Sequence, residues 1–349
     1  RMSAADYLRG HAVKVISDKA VVRKISLPEN GRTICISDIH GAFDAFRALL
    51  DKINFSENDT LILLGDFYTK GRQGRETLEY IMEQGALPNV YALRGNCDWV
   101  EPWADAAQRT WLEALPHILE SDEFIFVHGG IGPGELTEQR AIECMKNDAW
   151  LDKCGAFDRW VVTGHWPTMN YANLPRSRAA RISSVNSAEL SSTCDGVFSC
   201  DPVIDAARRV IAIDGGMVVK PWGQLNAFII ERGGFSFEAV DFMPIITAEK
   251  DQSASENPHT ITYNDRFIKE VPDDGEPGAE FAKYLHLATG KTIELPRDDA
   301  WRDEKGRLCN GNGTDYRLPV RAGDKMSLLR EYGDRLFVKK DGQIGWVFK

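Results

Sequence analysis

Five short apolar runs, each stopping on an oxygen or imidazole donor, constrain this chain more than any other feature. Thr33–Ile36 leads to Asp38 and His40, Leu61–Leu64 to Asp66, Val90–Leu93 to Asn96, Phe124–Val127 to His128, and Trp160–Thr163 to His165. Each run has the length of a buried strand. Side chains two apart on an extended segment point the same way, so Asp38 and His40 can reach one ion if the strand ends there. In an open α/β sheet, ligands bind in the crevice beyond the carboxyl ends of the strands. All six donors could meet there. Between the runs, Phe43, Phe46, Leu49, Leu50 and Ile53 fall at helical spacing, and Glu76 to Glu83 reads as a second helix. Strand, ligand loop and helix in that order predict parallel βαβ connections and an α/β (α+β) fold.

Two carboxylates, one amide oxygen and three imidazoles are too many donors for one tetrahedral ion. They suit two divalent ions sharing a bridging carboxylate. Mixed oxygen and nitrogen donors without thiolate point to manganese first, with iron or zinc as alternatives. The natural reaction of such a pair is hydrolysis of a phosphate ester. Taken singly, a lone His or a strand-end Asp is more often structural than a ligand. Five similar strand endings are hard to explain that way.

A chain of 349 residues suggests two domains. The formal charge of -10 argues against a protein held to nucleic acid by its overall field. Seven cysteines without a CxxC pair read as reduced thiols. No run approaches the roughly 18 apolar residues of a membrane span, and the polar N-terminus has no signal-peptide core. A cytoplasmic protein with no membrane partner is expected.

Residues 1–30 read as a helix-then-strand lead-in, and residues 31–247 as the main domain. Trp99 to Leu115 and Glu135 to Cys144 read as helices. The Ser-rich stretch from Asn170 to Cys200 is an irregular loop carrying Arg176, Arg178 and Arg181, either a solvated surface or a contact to an anionic substrate. Val210 to Ile213, Ala227 to Ile230 and Phe235 to Val240 follow without helices between them, which predicts one antiparallel sheet closing the domain. Residues 248–259 read as a linker from composition. Residues 260–349 predict a small β-rich module, with a hairpin signalled by Asp341 and Gly342 between two apolar-aromatic runs. Its ending weakly resembles bacterial SH3-like modules, implying a protein or peptide ligand.

The segments Ser37 to Gly41, Gly65 to Gly71, Leu93 to Asp98, Val127 to Gly130 and Gly164 to Trp166 resemble the five blocks of the calcineurin-like metallophosphoesterases. The nearest branch is the PPP-type serine/threonine phosphatases and their bacterial relatives, which Ile213 to Gly216 also resembles. The resemblance implies a β-sandwich flanked by helices. It implies Asp38, His40 and Asp66 on one metal, Asp66 bridging, and Asn96, His128 and His165 on the second. It implies attack on phosphorus by a hydroxide bridging the two ions.

The chain departs from the PPP pattern at three positions. Cys97 and Thr69 stand where the family has the His and Asp thought to protonate the leaving group, and Lys70 stands where it has a phosphate-binding Arg. Lysine keeps the charge and loses the planar fork. Loss of a general acid penalises poor leaving groups most. Cys97 could be a thiolate, a proton donor or a small filler, and Asp98 could act in its place or hold the loop. Lys70, Arg72 and Arg94 are the candidates for binding substrate phosphate. The first expectation is a hydrolase of phosphate monoesters, either a protein serine/threonine phosphatase or a broad phosphomonoesterase. The alternatives are a phosphodiesterase or nucleotide phosphohydrolase on the same site, and a weakly catalytic metal-binding regulator acting through its C-terminal module.

Overall fold

The computed structural model describes residues 19–98, 103–172, 177–178 (backbone), 197–272 and 279–349. Trp99, Arg176 and Arg181, and the side chain of Arg178, lie outside the described residues. Those described fall into two compact units, one running to Asp241 and the other comprising Phe242–Lys349 with 168–172 and 197–201.

In chain order the elements are β1 Val22–Lys24, β2 Thr33–Ile36, α1 Phe43–Lys52, β3 Thr60–Leu63, α2 Gly74–Gln84, β4 Val90–Ala92, α3 Ala106–Ala114, β5 Ile118–Glu120, β6 Phe124–Val127, α4 Ala141–Met145, β7 Trp160–Thr163, β8 Ser177–Arg178, β9 Phe198–Ser199, β10 Val203–Asp205, β11 Val210–Ala212, β12 Leu225–Glu231 and β13 Gly234–Val240. All but β9 belong to the first unit. One sheet has the order β1-β5-β6-β7-β11-β10-β8, the other β13-β12-β2-β3-β4. β2, β3 and β4 are parallel, as are β6 with β7 and β7 with β11. These are the runs whose ends carry the donors.

The strands are apolar throughout because both faces are covered. Alternate residues go to different cores: Ile34, Ile36, Leu61 and Leu63 pack with Phe46 and Leu49 of α1, Leu78 and Ile81 of α2 and Leu112 of α3. Cys35 and Ile62 face the other way, among Leu119, Phe126, Val162 and Ile211 of the first sheet. The result is a sandwich with helices on one outer face.

Three expectations change. The runs at 210–213, 227–230 and 235–240 do not form one antiparallel sheet. β11 joins the first sheet, parallel to β7, while the hairpin β12–β13 extends the second through the antiparallel pair β12–β2. Where strands pair at long range is not written in their own residues. Between 135 and 145 the chain makes a 3-10 turn, Leu136–Glu138, and the short α4 instead of one helix. Residues 248–259, read as a linker, run along the second unit, where Ala248 is buried and Gln252 bridges to Val320.

The second unit is β-rich. Ile245–Thr247, Lys325–Tyr332, Arg335–Lys340, Gln343–Phe348 and β9 form one sheet, and Ile268–Glu270, Phe281–His286 and Thr292–Pro296 another. Asp341 and Gly342 both have positive φ, 48° and 70°, as a two-residue hairpin with right-handed strand twist requires. Among the described residues no helix is long and apolar enough to cross a membrane.

Candidate metal centre

β2 ends at Ile36, and the backbone then leaves the extended region. Asp38 has φ 56° and His40 φ 49°, so the two are not brought together as neighbours on one strand face. They sit on a left-handed loop, held because Asp38 N–H donates to Gly65 O (3.1 Å), His40 N–H to Asp66 O (2.9 Å) and Gly41 N–H to Phe67 O (2.8 Å). Asp66 (56°), Lys70 (75°) and His165 (66°) are left-handed as well. Such a conformation costs a non-glycine residue about 1–3 kcal/mol and persists only where the surroundings impose it. Five such residues beyond the ends of β2 and β3 in one sheet and β7 in the other mark this as the strained end of the sandwich. Glycine permits the loops to close up: a Cβ on Gly95 would lie 2.2 Å from Asp66 Oδ1, and one on Gly164 2.5 Å from Asp38 Oδ2.

Asp66, 2% exposed, has its two oxygens on different imidazoles. Oδ2 is 3.6 Å from His40 Nε2, and Oδ1 is 3.4 Å from His128 Nε2. His40 Nε2 is also 3.7 Å from Asp38 Oδ1, and His128 Nε2 is 3.2 Å from Asn96 Oδ1. Separations of 3.4 to 3.7 Å are too long for good hydrogen bonds and suit donors sharing a cation with bonds of about 2.1 Å. His128 Nδ1 bonds Leu64 O at 2.7 Å, which leaves Nε2 as the nitrogen turned toward Asp66 and Asn96. Burial lowers the basicity of His128, but the carboxylates of Asp66 and Asp38 overcome it and raise its pKa to about 10. The site gathers negative charge that a divalent cation would neutralise. The donor set therefore fits two ions, with Asp66 able to touch both.

His165 completes the group from the other sheet. Its ring centroid is 5.2 Å from that of His128, its N–H donates to Asp38 Oδ2 at 2.9 Å, and its Nε2 bonds Asp148 Oδ1 at 2.9 Å. Nδ1 is left for an ion. The nitrogens of His40 are less constrained, since Nδ1 is buried without a partner.

The remaining candidates divide. Asp98 accepts N–H groups from Asp66 (2.7 Å), Phe67 (2.8 Å) and Gly95 (2.8 Å), so its carboxylate ties the second loop to the third. Burial and the nearby Asp66 carboxylate raise its pKa to about 7, against the pull of those amides. Cys97 donates its backbone N–H to Asp66 Oδ1 (2.7 Å), and its Sγ lies within 4.8 Å of ligand atoms of His40 and Asp66. Burial and Asp66 push its thiol up, only partly opposed by Lys70. Lys70 Nζ lies 3.2 Å from His40 Nε2. Arg72 and Arg94 are not brought in: among the described residues neither guanidinium bonds any of the six donors. Arg72 is exposed, and the charge of Arg94, after burial, helps lower His117 to about 4.

Two carboxylates at the site escape the five-run reading. Asp214 follows β11 in the same strand-end manner. It is 1% exposed, accepts Gly216 N–H at 2.7 Å and is raised well above the usual carboxylate range by burial and by Asp38. Asp148 lies in an irregular segment and has no periodic signal at all.

Residues 31–187 of the chain match the calcineurin-like phosphoesterase family. Its fold is the mixed α/β metallophosphoesterase fold with an additional β-rich C-terminal region. The symmetrical bis(5'-nucleosyl)-tetraphosphatase of Vibrio parahaemolyticus is 33% identical over 121 residues, 29% of this chain and 45% of that protein. The Neisseria gonorrhoeae protein of the same name is 34% identical over 118 residues, 28% of this chain and 43% of its own length. The match thus spans less than half the length of these curated relatives. A solved metallophosphoesterase from Sphaerobacter thermophilus is 20% identical, with a TM-score of 0.37 over 61% of this chain and 89% of that one.

Proposed function

We propose that the chain is a metal-dependent phosphoesterase whose best substrates carry good leaving groups, as nucleoside polyphosphates do. The observation that carries the two-ion reading is Asp66, with one oxygen toward His40 and the other toward His128. Asp38, His40 and Asp66 would hold one ion and Asp66, Asn96, His128 and His165 the second, with manganese ahead of iron or zinc. Divalent ions in such a pair supply Lewis acidity toward phosphoryl oxygen and lower the pKa of water. The protein's own groups orient the substrate. Lys70, beside His40, is a fixed positive charge for a phosphoryl oxygen. Asp98 keeps the loops bearing Asp66 and Asn96 in register. Cys97 offers a buried thiol, a weaker acid than an imidazolium, which favours phosphate and aryl oxide leaving groups. The names of the curated relatives support the same substrate class.

A second reading is hydrolysis of phosphate monoesters, including phosphoserine in proteins. It is favoured by Lys70, whose ammonium beside His40 could meet the second charge of a monoester. The test is hydrolysis with manganese of a dinucleoside tetraphosphate, an aryl monoester, an aryl diester and a phosphoserine peptide, with Asp66→Asn as the blank. Activity greatest on the tetraphosphate supports the first reading, and activity greatest on the peptide the second. Wild-type turnover in Asp66→Asn would overturn the two-ion assignment. Two bound ions with no activity on any substrate would leave a metal-binding regulator.

A further inference from the structure

We infer that Asp148 is the positioning residue of His165, fixing which imidazole nitrogen faces the second ion. This rests on the two-ion reading above. Asp148 Oδ1 accepts from His165 Nε2 at 2.9 Å and from Lys146 Nζ at 2.9 Å. With Nε2–H held by a carboxylate, the proton is on Nε2 and the lone pair on Nδ1.

The segment carrying Asp148 is built against the His128 loop. Gly129 N–H donates to Cys144 O at 2.6 Å, and a Cβ on Gly129 would lie 2.9 Å from Lys146 N. Gly130, at φ 123°, leaves no room for a side chain beside the Trp150 ring, where a Cβ would come within 2.5 Å. Trp150 is buried and donates Nε1–H to Ile131 O at 2.8 Å. Between these anchors Ala149 is forced to φ 52°, a strained value for alanine. The two glycines after His128 thus let residues 146 to 150 pass close under that loop, and the strained turn aims Asp148 at His165. His128 and Asp148 belong to one structural piece, and His165 is clasped by it.

The experiment is calorimetric titration of the full chain with Mn²⁺ at neutral pH, repeated with Co²⁺ and its visible spectrum. Asp148→Asn should weaken one of two binding events by about 10- to 100-fold and leave the other unchanged, with a shifted Co²⁺ band for the weakened site. Asp148→Glu should recover part of the affinity, which a merely structural lesion would not. Wild-type affinity for both ions and an unchanged spectrum in Asp148→Asn would overturn the assignment. Equal weakening of both sites would do so too, since it would make Asp148 a general support of the fold. If the wild-type chain itself takes up fewer than two ions, the two-ion reading falls and this inference with it, before any variant is compared.

Discussion

A thiol at position 97 is a weaker acid than an imidazolium and is less suited to protonating a leaving group. Cys97 is 4% exposed, accepts from Asn96 Nδ2 at 3.1 Å, and is pushed further from ionisation by burial and by Asp66. Asp98 is poorly placed to replace it, because three backbone amides already donate to its oxygens. Departure of an alkoxide would therefore go unassisted, while phosphate or an aryl oxide needs little help. A general acid contributes typically 10²- to 10⁴-fold. Cys97→His should accordingly raise turnover on alkyl phosphates relative to aryl phosphates by about tenfold or more in a steady-state comparison of the two. An unchanged ratio, with metal uptake intact, would show that leaving-group protonation does not limit this centre. The six candidate donors were legible in sequence because each follows one of five apolar runs, Asp38 and His40 the same one. Their geometry was not. Asp38 and His40 reach the centre on left-handed backbone, which a period of two could not foresee, and Asp148 lies where no periodicity exists.

At the scale of elements, one ion pair joins the start of β2, the end of α1 and the start of β3. Arg32 Nε and Nη2 donate to Asp59 at 2.8 and 2.7 Å, and its Nη1 and Nη2 to Ile53 O and Asn54 O just beyond α1. Asp59, 4% exposed, also accepts Ser56 N–H at 2.8 Å. Burial raises its pKa, but Arg32 and Ser56 outweigh that and leave it below the usual value. A carboxyl depressed on folding contributes stability that is present above its unfolded pKa, about 3.9, and is lost as pH falls through the folded value. Asp59→Asn should therefore cost about 2 kcal/mol in denaturant unfolding at pH 7, the order of a hydrogen-bonded charge, and the gap to wild type should close below about pH 4. A gap that stays constant down to pH 3 would mean that the carboxylate charge is not what matters. This pair also shows why helices and parallel strands were readable and sheet membership was not. The spacing of Phe46, Leu49 and Leu50 announces α1 locally. The division of β11 and β12 between two sheets depends on partners far away in the chain, and three consecutive runs with turns between them read the same either way.

For the molecule as a whole, the first unit buries Asp38, Asp66, Asp98 and Asp214 near one another at the strand ends. Among the described residues, His128, raised to about 10, and the Lys70 ammonium supply positive charge against them. Folding without ions must hold these carboxylates together out of water, and ions that bind the folded chain alone relieve that cost. Each ion present at about 100 times its dissociation constant should add about 2.7 kcal/mol, a shift of several degrees in melting for a unit of this size. Since the donors all belong to the first unit and the β-rich unit contributes none of the six, chelation should move one thermal transition and leave any second one in place. Calorimetry with and without a chelator reads this directly. Asp66→Asn, lacking the carboxylate shared by both ions, should melt at the same temperature in either condition. Melting of the wild-type chain that is indifferent to chelator and to added manganese would show that the buried carboxylates are compensated within the protein, and would remove the energetic basis for a two-ion centre.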